Sequence, residues 1–296
     1  IKRIIDDYPG SSASFYTNWS PRAALDQMDQ NDVATAVTSI TSPGVWFGDN
    51  AAARVAARQC NEYGAQLKRD FPGRFGMFAA LPLPDPDGSF EEMRYALDVL
   101  RLEGVGLLTS YQGKLLGDDA FAPIFDELNR RKAVVFVHPT MSCCGDPVAP
   151  VRSPIIEFPT DTARTITSLV YSSTFARCPD IRFIFSHGGG TMPMLIERIA
   201  RVALTLKPEV RAAILPNGLE YELQRHYYDV AAVATNPVGM AAVFKLVPTT
   251  RLLFGSDVPF WTIKEIAGAV NGFDLPAAGI RAIQRDNAVR LFPVLA

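Results

Sequence analysis

Charge-poor, β-branched runs recur along this chain, and three of them lead into a residue that can bind a metal or move a proton. AVVFVHP reaches His138, IRFIFSHGG reaches His187, and RLLFGSDVP reaches Asp257. Runs of this kind stand at about 34–41, 75–82, 104–111, 133–139, 181–189, 227–233 and 251–258, and helical stretches separate them. Strands with few charges, each followed by a helix, read as parallel strands covered on both faces. In a parallel α/β barrel the C-terminal strand ends share one mouth, where ligands bind. Any one such histidine, taken alone, reads as a hydrogen-bonded capping group. The chain has only three histidines, and two of them at strand tails, joined by an aspartate in the same register, point to a shared site instead. Two imidazoles and a carboxylate suit a divalent metal such as zinc.

The expected helices lie at 20–31, 49–70, 87–102, 119–131, 160–177, 193–206 and 237–246, with a helical C-terminus from about 262. Ser20-Pro21 and Asn236-Pro237 are cap-plus-proline starts. The reading gives one domain over 1–296, a (β/α)8 TIM barrel. Only seven strands are counted, and the first clear element is a helix. The stretch IKRIIDDYPGSSASFYTNW is charged and short of apolar runs, so the first barrel strand is expected in residues preceding Ile1.

Composition excludes several classes. A net charge of −2, with 20% charged and 48% hydrophobic residues, gives no electrostatic footprint for nucleic acid or an anionic membrane. No apolar run approaches the roughly 18 residues that span a bilayer, and no signal-peptide pattern opens the chain. The cytoplasm is the expected compartment. Four cysteines are too few for a disulfide scaffold, and the adjacent Cys143 and Cys144 read as reduced thiols bordering the site with no activating base.

The segments VFVHPT, FSHGGGTMP and FGSDVP, in that order and spacing, resemble the amidohydrolase superfamily, and within it the decarboxylase branch related to aminocarboxymuconate-semialdehyde decarboxylase. SPGVWFGD, NEYGAQL, PGRFGMFAALPLPD and HPTMSCC are most similar to 6-methylsalicylate decarboxylase-like members. The resemblance implies a barrel of metal-dependent hydrolase type. It assigns His138 and Asp257 to a divalent ion, Zn or Mn, with His187 beside them, and it gives His187 and Asp257 the catalytic proton work. The family's paired ligands on strand one have no counterpart here, consistent with the uncounted strand. Arg198, eleven residues after His187, matches an arginine that holds a substrate carboxylate, in some members from a neighbouring subunit. That implies a homodimer or homotetramer. The bland alternative is a helix-surface Arg paired with Glu197 or another acid.

Other residues carry two readings each. Trp46, Phe47, Phe260 and Trp261 follow strand ends and either wall an aromatic substrate or are plain core. Tyr111 is placed to hydrogen-bond a substrate hydroxyl. Gly188-Gly189-Gly190 either presents amides to an anion or lets the chain turn closely. Asp161 reads as a helix N-cap, Asp229 as a strand-end acceptor and His226, at the start of its strand, as structural. No lysine stands in GVGLLTS, which argues for one metal over two. The implied activity is a carboxy-lyase, the metal-dependent non-oxidative decarboxylation of a small hydroxylated aromatic acid. The rivals are a metal-dependent lactone or amide hydrolase and a non-catalytic barrel lacking strand-one ligands.

Overall fold

The computed structural model describes residues 19–141 and 153–295. Seven parallel strands form one sheet in chain order: β1 (Ala36–Thr38), β2 (Phe75–Ala80), β3 (Gly104–Leu108), β4 (Val134–His138), β5 (Arg182–Phe185), β6 (Tyr227–Asp229) and β7 (Leu252–Leu253). All seven expected strands are present, each shorter than its apolar run. A two-stranded antiparallel hairpin, 110–115, follows β3.

The sheet is curled. Val37, Phe78, Val134, Phe136, Ile184, Tyr227 and Leu253, from six of the seven strands, pack in one cluster with Leu291 and Phe292. A flat sheet would hold its first and last strands too far apart for that. The alternate residues, such as Val105, Val135, Val137, Phe183 and Phe185, face outward into a larger core beneath the helices, as the period of two requires. Among the described residues β1 and β7 are the two ends of the hydrogen-bonded order. The strand expected upstream falls outside the described residues.

Around the sheet run α1 (Pro21–Gln30), α2 (Asn50–Asp70), α3 (Pro86–Arg94), α4 (Ala122–Arg130), α5 (Ser153–Tyr171), α6 (Met192–Ala203), α7 (Pro237–Leu246) and α8 (Ile263–Asn271). The two cap-plus-proline starts form as expected. Ser20 accepts from Ala23 N, and Asn236 accepts from Val238 N and Gly239 N. Helix α3 continues as a π-turn over Tyr95–Val99. Two short helices, Pro208–Ile214 and Leu219–Gln224, had no sequence counterpart, being too short to show a 3.6-residue period.

One boundary is corrected. The helix expected from 160 begins at Ser153 and runs through Pro159. The proline's carbonyl accepts from Thr191 N at 3.0 Å, across to the start of α6. Asp161 is therefore inside a helix and fully buried; it is not an N-cap. None of the described helices is long and apolar enough to cross a membrane.

Candidate active site

Three strand tails bring the sequence-predicted triad together. One donor atom each from His138, His187 and Asp257 lies within 4.8 Å of the others. His138 is the last residue of β4, whose register pairs it with Leu108 of β3. His187 lies two residues beyond β5 and Asp257 four beyond β7. Both adopt left-handed backbone, φ 55° and 54°, which non-glycine residues hold only when surroundings enforce it.

The enforcement at His187 is visible. Its N–H donates to Asp229 Oδ1 at 2.9 Å, and three successive left-handed glycines follow. A Cβ on Gly190 would stand 2.0 Å from the Pro159 carbonyl oxygen, so the chain passes there only as glycine. Gly189 N and Gly190 N are spent on Ser186 O and His187 O, which favours the close-turn reading over an anion site. Asp229 is the strand-end acceptor expected, also taking Ala231 N at 3.0 Å.

His187 Nε2 stands 3.5 Å from Asp257 Oδ2, and the His138 and His187 rings meet edge to face at 5.6 Å. Burial, reinforced by His187, drives the His138 pKa down to about 4, so its imidazole is neutral with a lone pair to give. Burial alone would lower His187 as well, but its hydrogen bond to Asp257 and the charges of Asp229 and Asp257 carry it above its ordinary value. Asp229 is pushed up to about 6 by burial, partly offset by His187. Two nitrogens and a carboxylate oxygen at this spacing match the donor set of a divalent transition-metal site.

The other predicted residues scatter. The Tyr111 hydroxyl accepts from Leu108 N at 2.8 Å, and its ring borders a small cavity with Ile40, Val45, Phe78 and Ala80. Trp46 donates its indole N–H to Asn50 Oδ1 at 2.9 Å. Phe47 and Phe260 are exposed, while Trp261 packs against the outer core. Arg198 is exposed on α6, and among the described residues it makes no hydrogen bond or ion pair, so the pairing with Glu197 is not formed. Cys143 and Cys144 lie outside the described residues. His226 is structural in placement, fully buried against Phe175, Phe183 and Phe185. Sequence reasoning missed Thr41, whose Oγ1 lies 3.3 Å from His138 Nδ1. It ends the run ATAVTSIT, so the strand-tail rule that found the triad would have found it. It also missed Thr109 and Asp161, which bond to each other behind β4.

The family profile described as Amidohydrolase matches residues 12–294. A protein of Aspergillus niger named decarboxylase yanB is 37% identical over 93% of this chain and 79% of its own. The 6-methylsalicylic acid decarboxylase of Penicillium expansum is 33% identical over 100% and 93%. Among solved structures, the 5-carboxyvanillate decarboxylase of Novosphingobium aromaticivorans, complexed with manganese and a nitrobenzoic acid, superposes with a TM-score of 0.86. It covers 98% of this chain and 90% of its own at 23% identity, which bears on fold.

Proposed function

The chain belongs to the amidohydrolase family, and on that premise we propose that it is a metal-dependent, non-oxidative decarboxylase of small hydroxylated aromatic acids, with a 6-methylsalicylate-like substrate. The observation that carries this is the convergence of His138, His187 and Asp257 from three separate strand tails within 4.8 Å. The donor set fits one divalent ion, Zn²⁺ or Mn²⁺. His138 is held neutral by burial, and only a neutral imidazole can ligate. His138 and Asp257 would hold the ion, with His187 beside it. When bound, it would supply Lewis-acid orientation of an ortho-hydroxycarboxylate.

The chain's own residues do the rest. His187, braced by the Asp229 carboxylate on its backbone and by Asp257 at its Nε2, delivers a proton to the ring carbon that bears the carboxylate. The bond to the carboxyl carbon then breaks, its electron pair returns to the ring, and carbon dioxide leaves. Asp257 relays the proton that recharges His187. Phe158 and Phe136, each a little over 6 Å from the His138 ring, keep that side of the mouth apolar. Trp46 and Phe260 are proposed to border the substrate ring, and Tyr111, whose hydroxyl accepts from Leu108 N, to hydrogen-bond a substrate hydroxyl. Arg198, without a partner among the described residues, is proposed to grip the carboxylate of a substrate in a neighbouring subunit by a bidentate fork, in a homodimer or larger even assembly. We take 1–296 as one domain, and the cytoplasm as its compartment, which the free, buried thiols of Cys60 and Cys178 favour.

The test is product analysis. Protein reconstituted with Mn²⁺ or Zn²⁺ should release carbon dioxide from 6-methylsalicylate, and in deuterated buffer the phenol should carry one deuterium at the carbon that lost its carboxylate. Turnover of lactones or amides with no carbon dioxide from any ortho-hydroxybenzoate would replace this reading with hydrolysis, and no turnover of either kind would replace it with a binding barrel.

A further inference from the structure

A carboxyl group buried deep in α5 is joined to the His138 imidazole through three hydrogen bonds and one shared peptide unit. Asp161 is fully buried. Its Oδ2 accepts from the hydroxyl of Thr109, while its Oδ1 has no hydrogen-bond partner among the described residues, with Arg164 Nη1 at 3.7 Å. Burial raises its pKa, opposed by the Thr109 hydrogen bond and Arg164. An ionised carboxylate is costly to bury, so its contact with Thr109 needs an explanation beyond packing.

Thr109 has every polar atom engaged. Its N–H donates to His138 O at 3.0 Å. Its carbonyl accepts from Thr165 Oγ1 at 2.6 Å and from Leu116 N at 3.2 Å. Its Oγ1 accepts from Thr140 N at 3.1 Å, so the hydroxyl proton is left for Asp161. The Thr140 N–H belongs to the same rigid peptide plane as the Pro139 carbonyl. That carbonyl lies 2.8 Å from His138 Nδ1. A carbonyl oxygen can only accept, so Nδ1 must carry the ring proton, and the lone pair is confined to Nε2.

We propose that Asp161 and Thr109 are positioning residues for His138: through the Pro139–Thr140 peptide they fix the imidazole as the Nδ1–H tautomer and aim Nε2 into the site. Such outer partners of a ligating histidine set both its tautomer and its orientation. The metal arm of the test rests on the metal reading above, whereas the tautomer arm does not.

The chain has only three histidines, so ring ¹⁵N and ¹³C resonances of labelled, metal-free protein can be assigned by single substitutions. Wild type and Thr109→Ser, which keeps the hydroxyl, should show His138 as one Nδ1–H tautomer. Thr109→Val should show a mixture of tautomers. In chelator competition with Zn²⁺ alone, Thr109→Val should bind about 10–100-fold more weakly and Thr109→Ser close to wild type. Should the valine variant fail to fold, Asp161→Asn, isosteric and uncharged, should weaken Zn²⁺ binding several-fold and shift the Nδ1 resonance. A folded Thr109→Val or Asp161→Asn protein with unchanged tautomer and unchanged affinity overturns the proposal. Wild-type protein that binds neither Zn²⁺ nor Mn²⁺ yet shows the tautomer switch would sink the metal reading and leave the positioning intact.

Discussion

Replacing His226 with leucine should make this protein more stable, and increasingly so in acid. The imidazole is fully buried, and neither ring nitrogen has a hydrogen-bond partner among the described residues. It sits against Phe175 at 4.3 Å, Phe183 at 5.2 Å and Phe185 at 5.9 Å between ring centroids, and the charges that reach it are Arg225 and Arg251. Each buried polar atom left unpaired costs about 1–3 kcal/mol. Leucine is close in volume, and an imperfect fit returns up to about 1.5 kcal/mol. Two such atoms at the low end of that range, less the imperfect fit, leave a net gain of about 0.5–2 kcal/mol at pH 7.5, or about 1–8 °C in Tm at about 2–4 °C per kcal/mol for a large domain.

The sign of the pH dependence is fixed by the direction of the shift. Burial first, then Arg225 and Arg251, hold the folded-state pKa of His226 well below its ordinary value. Above about pH 6.5 the ring is neutral in both states and contributes no slope. Below it the unfolded chain takes up a proton that the folded chain refuses, and stability falls by about 1.4 kcal/mol per pH unit until the folded pKa is reached. His226→Leu lacks this loss, so its advantage should widen by about 1.4 kcal/mol between pH 7.5 and pH 5.5. Thermal unfolding followed by circular dichroism across that range measures both quantities. A variant less stable than wild type at pH 7.5, with a gap that stays constant on acidification, would show that the ring has a partner and that the reasoning is wrong.

At the site, His138→Ala should lose the divalent ion and all turnover. His187→Asn should keep the ion and lose rate by about 10²-fold or more, the usual scale for a general acid; elemental analysis paired with kcat separates the two. Mixing inactive Arg198→Ala and His187→Ala protomers should restore partial activity through hybrid sites, and none in a verified mixed dimer would place the role of Arg198 within its own chain or remove it. Gly190→Ala puts a methyl group 2.0 Å from Pro159 O at φ +63° and should cost about 2–5 kcal/mol, from left-handed strain plus overpacking. Gly48→Ala, also left-handed but with nothing within 4 Å of the added atom, should cost only about 1–2 kcal/mol, and equal losses in a denaturant titration would refute the steric account.

The triad was legible because a strand tail is a local pattern with a global consequence: the barrel gathers every tail at one mouth. The same pattern also holds Thr41 and Asp229, and it sets His226 apart, since that residue precedes its strand. What the pattern does not encode is direction. His187 and Asp257 reach their partners from left-handed backbone, a conformation that Gly190 passing Pro159 and the Asp229 carboxylate help impose on His187 from elsewhere in the chain. Asp161 was misread for the same reason. Pro159 looks like a helix start when only neighbours are weighed, yet α5 runs from Ser153 straight through it, with the proline's carbonyl bonded to Thr191 N, 32 residues on, and the hydroxyls of Thr160 and Thr162 returned to Ile156 O and Phe158 O. Once the helix continues through that proline, Asp161 turns inward to Thr109, 52 residues earlier in the chain. A sequence can therefore name the residues that face a ligand before it can name those that hold them there, because the first lie on one repeating strand-end pattern and the second depend on contacts between segments that share none.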